Sequence, residues 1–145
     1  MAIMRKVKPR ELFMGKLSHG GDLLEEITDI CRKENIQLGR VEALGAVRRA
    51  RLGFYNQQTH EYQFFELDQP LEITKLVGNV SLKDNSPFVH AHITLADKKA
   101  NAYGGHLASG TVVFACEFML EVFDGPVLQR DFDETTGLFL WTMPE

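Results

Sequence analysis

Cysteine is scarce in this 145-residue sequence and long apolar runs are absent, and both features narrow the class of protein. Cys31 and Cys116 lie in a helical and a strand pattern, which indicates buried thiols in a reducing compartment rather than a disulfide framework. No apolar run approaches the roughly 18–20 residues of a membrane span. The basic N-terminal residues lack the apolar stretch of a signal peptide. We therefore expect a soluble cytoplasmic protein without a membrane partner.

Positive charge is also limited, with 16 basic against 20 acidic residues and a net charge of −4. Binding to nucleic acid depends mainly on Lys and Arg that neutralise phosphates, so this balance disfavours DNA as a partner without excluding it. Positive charge concentrates in the N-terminal segment 5–10 and in a short cluster of Arg48, Arg49 and Arg51. On a strand, Arg49 and Arg51 share a face and Arg48 lies on the other, a pattern typical of a solvated strand.

Several common catalytic motifs are missing. Nothing matches a P-loop or the dinucleotide-binding GxGxxG pattern, so the segment 18–21 (SHGG) is interpreted as a simple turn rather than an anion cradle. No Ser-His-Asp arrangement can be argued from the spacing, and neither cysteine lies in an evidently activating setting.

One helix is predicted. Asp22 caps its first turn, Glu25 three residues later completes a capping-box pattern, and the helix ends near Asn35. Its apolar residues, spaced to share a face, are Leu23, Leu24, Ile27, Ile30 and Cys31.

The rest of the chain predicts strands, at residues 12–17, 41–56, 62–67, 71–82, 88–95, 110–123 and 138–141. The second has a plausible bulge at Gly45, and a loop rich in Lys, Asn and Gly joins the fifth to the sixth. One helix followed by many strands indicates an α+β fold, a mostly antiparallel sheet with a flanking helix. The length fits a single domain, 12–145, after an N-terminal segment, 1–11.

Three of the five histidines form the strongest chemical signal in the sequence. His90 and His92 are two residues apart on a predicted strand, so their side chains leave the same face. Gly104 and Gly105 are expected to form a tight bend that brings His106 back towards them. Three imidazoles on one point suit a divalent transition metal, best Zn²⁺ and less well Ni²⁺, Co²⁺ or Fe²⁺, with a coordination position left open.

The remaining candidates are weaker. A His-x-His pair on a half-exposed strand commonly binds nothing, and His19 and His60 are expected to be solvent-exposed in turns. Glu117 is an acid within an apolar strand. If its strand neighbours the histidine strand, Glu117 is a further ligand, a supporting group or a proton shuttle; otherwise it lies on a solvated face.

Five segments, taken in order, resemble the stand-alone prokaryotic form of the plants-and-prokaryotes conserved (PPC) domain: GGDLLEEI, EALGAVRRARLGFYN, PLEITKLVGNVSL, PFVHAHITLAD and YGGHLASGTVVFACEFML. The resemblance covers roughly Phe13 to Trp141. It implies a homotrimer, and it implies that His90, His92 and His106 match the prokaryotic metal-binding positions. The fold is also similar to acetolactate decarboxylase, which has a three-histidine zinc site, and this similarity is an analogy only.

Two departures from the plant members bear on DNA binding. The segment 8–10 (KPR) lacks the Arg-Gly-Arg-Pro core of an AT-hook, and residues 69–74 keep only the Glu-Ile pair of the plant partner-contact segment. A DNA-binding role therefore rests on kinship alone.

Three functions remain open from the sequence. The first is a metal-binding trimeric module that recognises a small ligand or a protein. The second is a transcription-associated DNA-binding protein, and the third is a metal-dependent lyase or hydrolase. A closed cyclic oligomer is also expected because the chain has more apolar strand residues than one helix can cover, among them Phe54, Phe64, Phe88 and Phe114, and the resemblance implies that this oligomer is a trimer. Whether the protein is an enzyme, and which ligand it takes, the sequence leaves open.

Overall fold

The alternating apolar pattern forms a seven-stranded antiparallel sheet in the computed structural model, which describes residues 2–143. The strands are β1 (Lys8–Lys16), β2 (Gly39–Asn56), β3 (Glu61–Leu67), β4 (Leu71–Lys83), β5 (Ser86–Ala96), β6 (Ala102–Leu107), β7 (Val112–Asp124), β8 (Arg130–Asp133) and β9 (Leu138–Trp141). Their order in the large sheet is β1-β7-β2-β4-β5-β6, with β3 paired to β2, while β8 and β9 form a separate hairpin. The predicted α+β class is confirmed.

The long strand β2 organises the sheet. Its first half pairs with β4, and further along Leu52 and Gly53 pair with Leu107 and His106 of β6. Because β4 pairs with β5 and β5 with β6, these contacts close a ring of four strands. The predicted bulge is present: the register shifts at Gly45, whose φ of 141° and close approach to a carbonyl oxygen of β7 require glycine.

The helix α1 (Leu23–Lys33) begins as predicted. The Asp22 carboxylate accepts hydrogen bonds from the N–H groups of Leu24 and Glu25, at 3.1 Å each. The second half of the capping box is not among the hydrogen bonds of the described residues: the Glu25 carboxylate accepts from the Ser109 hydroxyl rather than from the Asp22 N–H. Glu26 instead accepts from the N–H of Ser18 at 2.8 Å. Among the described residues, no helix has the length and apolar character to cross a membrane.

The core lies between α1 and the sheet. Leu23, Ile27 and Cys31 of the helix are fully buried in one apolar cluster with Ala91 and Ile93 of β5. Burial of each large aliphatic side chain contributes roughly 1.5–3 kcal/mol. Since side chains alternate along a strand, the opposite face of β5 carries the histidines. Cys116 is also buried, and both thiols are free.

Three strand predictions need correction. The predicted loop between β5 and β7 contains β6, and the polar residues between the predicted strands 110–123 and 138–141, where no strand was expected, contain β8. Both short strands lack the β-branched pattern of a strand and are held by their neighbours. The first strand starts at Lys8, four residues before the predicted start, because main-chain pairing with β7 extends to Asp124 through exposed residues.

Candidate metal centre

The three predicted histidines lie together on the sheet face opposite α1. His90 and His92 alternate along β5 with the buried Ala91 and Ile93, which fixes their direction. His106 is on β6 and pairs directly with His92 across the ladder. The spacing of two residues therefore places His90 and His92 on one face, as predicted, and the pairing of β6 with β5 brings His106 beside them.

The reason for the two glycines before His106 differs from the prediction. The chain reverses earlier, at residues 97–101, where the Asp97 carboxylate accepts from the N–H groups of Lys99 and Asn101. Gly104 and Gly105 lie inside β6 rather than in a bend. A Cβ atom on Gly105 would come within 2.9 Å of the Gly53 carbonyl oxygen, so glycine allows β6 to approach β2.

The geometry suits a single ion. The centroid of the His90 ring lies 5.1 Å from the centroids of the His92 and His106 rings, and the centroids of His92 and His106 are 5.6 Å apart. One ring nitrogen of each histidine lies within 4.8 Å of the others. Two nitrogens bound to one Zn²⁺ at about 2.1 Å are at most about 4.2 Å apart, so small side-chain rotations would bring all three onto one ion.

The local electrostatics keep the imidazoles ready to act as ligands. Burial, followed by His106, Arg130 and His92, lowers the pKa of His90 to about 4. Burial is also the main cause that lowers the pKa of His106, with His92 and Arg130 adding to it. A metal ligand must be a neutral imidazole, and both groups are neutral at physiological pH.

His106 also has an unsatisfied atom. Its Nδ1 is buried and forms no hydrogen bond with any described residue. Burial of a polar nitrogen without a partner is unfavourable, and coordination of an ion through Nδ1 would supply the missing partner. The Tyr62 ring, 4.9 Å away between centroids, packs against the same imidazole. The residues present therefore fit a metal ion.

A residue that the sequence did not single out borders the centre. Arg130 of β8 is 7% exposed and extends along β4, where its Nε donates to Ser81 Oγ at 2.8 Å and Nη2 to Asn79 Oδ1 at 2.7 Å. Its Nη1 donates to the Phe139 carbonyl oxygen at 3.1 Å. Asn79 is the direct ladder partner of His90, so the guanidinium reaches the strand next to the histidines. In sequence, Arg130 lies in a polar tail that gives no sign of burial.

Three cavities of about 590, 650 and 300 Å³ border the histidines. The largest, of about 650 Å³, contacts all three histidines. The cavity of about 590 Å³ contacts His90 and His92, and the smallest contacts His90, His106 and Arg130. No Asp or Glu among residues 2–143 lines any of them. The volumes lie near the lower half of the range for small-molecule sites.

The other candidates lie elsewhere. Glu117 is exposed on β7, and β2 and β4 separate it from β5, about 14 Å at a strand spacing of about 4.8 Å. It is therefore not part of the histidine cluster. His19 and His60 are exposed as predicted. Near the turn before α1, backbone N–H groups already donate to carboxylates of the chain itself. Asp22, for example, also accepts a hydrogen bond from the Gly110 N–H at 2.6 Å.

The basic cluster is only partly free. Arg49 and Arg51 share a face, as predicted, but a register shift beside Arg48 leaves that side chain exposed as well. The Arg51 guanidinium lies 4.1 Å from the centre of the Phe64 ring and donates to the Ser109 carbonyl oxygen. Two of the three arginines are therefore available to solvent.

Comparison with known proteins now identifies the family, because the sequence pattern of the Plants and Prokaryotes Conserved domain matches residues 4–124. The chain belongs to this family. A crystal structure of a metal-containing protein from Archaeoglobus fulgidus is 41% identical, with a TM-score of 0.93 over 98% of this chain and 100% of that one. A PPC protein from Pyrococcus horikoshii is 30% identical, with a TM-score of 0.92 over 99% of each chain.

A segment similar to this chain also occurs within a much longer protein. The bifunctional protein GlmU of Synechococcus sp. (strain JA-2-3B'a(2-13)) is 31% identical over 134 residues, which are 91% of this chain and 19% of that protein. This chain thus spans about a fifth of that curated relative. A crystal structure described as a putative DNA-binding protein from Bacteroides thetaiotaomicron is 24% identical with a TM-score of 0.85, a level that shows the shared fold alone.

Proposed function

We propose that this PPC domain is a metal-binding homotrimer that recognises a small ligand at the centre formed by His90, His92 and His106. The observation that carries the proposal is the convergence of three imidazoles, one of which, His106, has a buried Nδ1 without a hydrogen-bond partner among the described residues. The relative from A. fulgidus, described as metal-containing, supports it at 41% identity.

Zn²⁺ is the proposed ion, because it accepts three neutral imidazoles and keeps a fourth position for water or a ligand. When bound, such an ion would act as a Lewis acid towards a ligand atom. The chain's own residues would orient that ligand, with Tyr62 packed against His106 and the side chains that line the cavities beside the histidines in contact with it.

Ligand binding is better supported than the two other functions. A lyase or hydrolase that uses a carboxylate to move protons is not supported, because no described Asp or Glu lines the cavities at the centre. DNA binding would need a concentrated positive surface, whereas the exposed Arg48 and Arg49 and the basic residues of the N-terminal segment 5–10 stand against a net charge of −4.

The trimer is supported by an apolar surface on the face opposite α1. Met14 of β1 is 77% exposed and pairs with Met119 of β7, and Leu44 of β2 is 58% exposed close by. Phe54, Phe64 and Phe114 are exposed as predicted, while Phe88 is half-buried under Lys83 and Arg130. Exposed apolar patches of this kind favour burial between copies of a chain.

The experiment is metal analysis of protein purified without chelators, combined with light scattering. We expect about one equivalent of a divalent transition metal per chain and the mass of a trimer at micromolar concentration. His92→Ala and His106→Ala should each remove most of the metal, and His19→Ala, an exposed histidine outside the centre, should keep it. Full metal content in both centre variants would refute the site, and a monomeric mass would refute the trimer.

A further inference from the structure

Arg130 is a buried cation whose charge no acidic group balances. The side chain is 7% exposed, and its three hydrogen-bond acceptors, Ser81, Asn79 and the Phe139 carbonyl, are all neutral. None of the salt bridges among residues 2–143 involves it. A buried charge is normally paired, because removing it from water without a counter-charge is costly.

Arg130 keeps two unused donors. A guanidinium has five N–H groups, and the three hydrogen bonds use the Nε donor and one donor on each terminal nitrogen. One N–H therefore remains on Nη1 and one on Nη2. Two donors on neighbouring nitrogens match the two oxygens of a carboxylate. Burial lowers the pKa of Arg130, yet a guanidinium remains charged at any physiological pH.

The cavity beside Arg130 has the size and walls for a small organic acid. It measures about 300 Å³ and also contacts His90, His106 and Lys83. Its remaining walls include the aromatic and aliphatic side chains of Tyr55, Tyr62, Phe88, Leu138 and Phe139. With Lys83 and Arg130 as its charged groups, the lining is cationic, so a ligand that balances it is an anion.

We propose that the cavity between Arg130 and the histidines binds a small organic carboxylate, with Arg130 as the group that holds the carboxylate. This inference rests on the proposed function, since it names the ligand class of the same centre. The apolar walls favour an organic acid over inorganic phosphate, because they would contact its hydrocarbon part. A helix N-terminus commonly binds phosphate, and no residue from the start of α1 lines this cavity.

The chain provides its own probe for this site. Trp141 is its one tryptophan, and the centre of its ring lies 5.5 Å from Arg130 Cζ. A carboxylate at Arg130 should therefore change the tryptophan fluorescence. We would titrate zinc-loaded and metal-free protein with propionate and pyruvate at constant ionic strength. Propionamide, the neutral analogue of propionate, is the ligand control, and inorganic phosphate is the competing anion.

We expect a saturable response to both carboxylates and none to propionamide. Arg130→Met should raise the dissociation constant at least about tenfold, the effect of losing a charge-assisted hydrogen bond. Lys83→Met, which keeps the contact with the Phe139 ring and loses the charge, should raise it about threefold. Lys99→Met, an exposed lysine in the turn before β6, should leave it unchanged. If Arg130→Met does not fold, Lys83→Met and the amide comparison decide the question.

Equal responses to propionate and propionamide, unchanged affinity in folded Arg130→Met, or tighter binding of phosphate would overturn the carboxylate assignment. Metal content, measured on the same samples, separates this inference from the proposed function. Arg130-dependent binding by protein that takes up no metal would refute the metal function and leave the carboxylate site standing. Full metal content without an Arg130-dependent response would refute the carboxylate site and leave the metal function standing.

Discussion

The surroundings of the two faces of β5 differ in how completely their polar groups are satisfied. On the side of α1, Ala91 and Ile93 are each 2% exposed and contact an apolar cluster. On the other side, the buried Nδ1 of His106 lacks a partner and the Arg130 charge near His90 is unbalanced. Unsatisfied groups concentrate where a protein binds something, so one strand supplies stability through one face and recognition through the other.

The largest expected effect comes from the α1 side of the strand. Ile93→Ala removes a buried side chain and leaves a cavity, so it should lower the free energy of unfolding by about 2–5 kcal/mol. Thr94→Ala, the exposed neighbour on the histidine side, should change it by less than about 0.5 kcal/mol. Urea unfolding of metal-free protein measures both values. Similar losses for the two variants would show that the faces do not differ in this way.

This contrast also marks how far the sequence could predict the structure. The pair His90 and His92 and the alternating apolar residues between them defined one strand, its buried face and its polar face. The sequence could not show that β2 and β4 separate Glu117 from that strand, because strand order depends on long-range pairing. Arg130 was missed for a related reason: only the tertiary packing of β8 against β4 buries it.

β6 shows the same limit at a smaller scale. The residues AYGGHL of this strand include two glycines, which intrinsic preferences place in turns. Their role depends on β2, whose Gly53 carbonyl lies where a side chain on Gly105 would be. Close approach between two backbones is a property of the folded sheet, so the sequence revealed that glycine was needed there and not why.

A moderate effect is expected for the thiols on the buried side. Burial raises the pKa of Cys31 to about 12, and burial with a smaller contribution from Glu117 raises that of Cys116 to about 11. Above a pH of about 9 the unfolded chain releases thiol protons that the folded chain keeps, so the free energy of unfolding should fall as the pH rises further. Below that pH this contribution is fully present.

Thiol and imidazole modification of metal-free protein tests this difference directly. At pH 8 the native protein should not react with a disulfide reagent, and both cysteines should react after unfolding in urea. Under native conditions diethyl pyrocarbonate should still modify His92, which is exposed on the opposite face. Rapid reaction of Cys31 in the native state would contradict the closed packing of the helix side.

The smallest effect is expected from DNA. With Arg48 and Arg49 exposed and Arg51 held against Phe64, we expect dissociation constants for duplex DNA no tighter than about 10⁻⁴ M at physiological salt. Fluorescence anisotropy at two salt concentrations measures the affinity, and Arg48→Ala with Arg49→Ala should change little. Micromolar binding of DNA that disappears in this double variant would show that the chain has a binding surface at Arg48 and Arg49, away from the histidine face.

The ring of strands closed by β2 has a consequence for the order of events in metal uptake. His106 lies on a strand that is hydrogen-bonded on both sides, to β5 and to β2, so that part of β6 has no free edge from which it could fray. Exchange of its backbone amides with solvent deuterium should therefore require a large opening of the sheet. The three imidazoles are then preorganised before an ion arrives. An ion would bind a domain that is already folded and would stabilise it by that binding, so removing the ion would leave the domain folded.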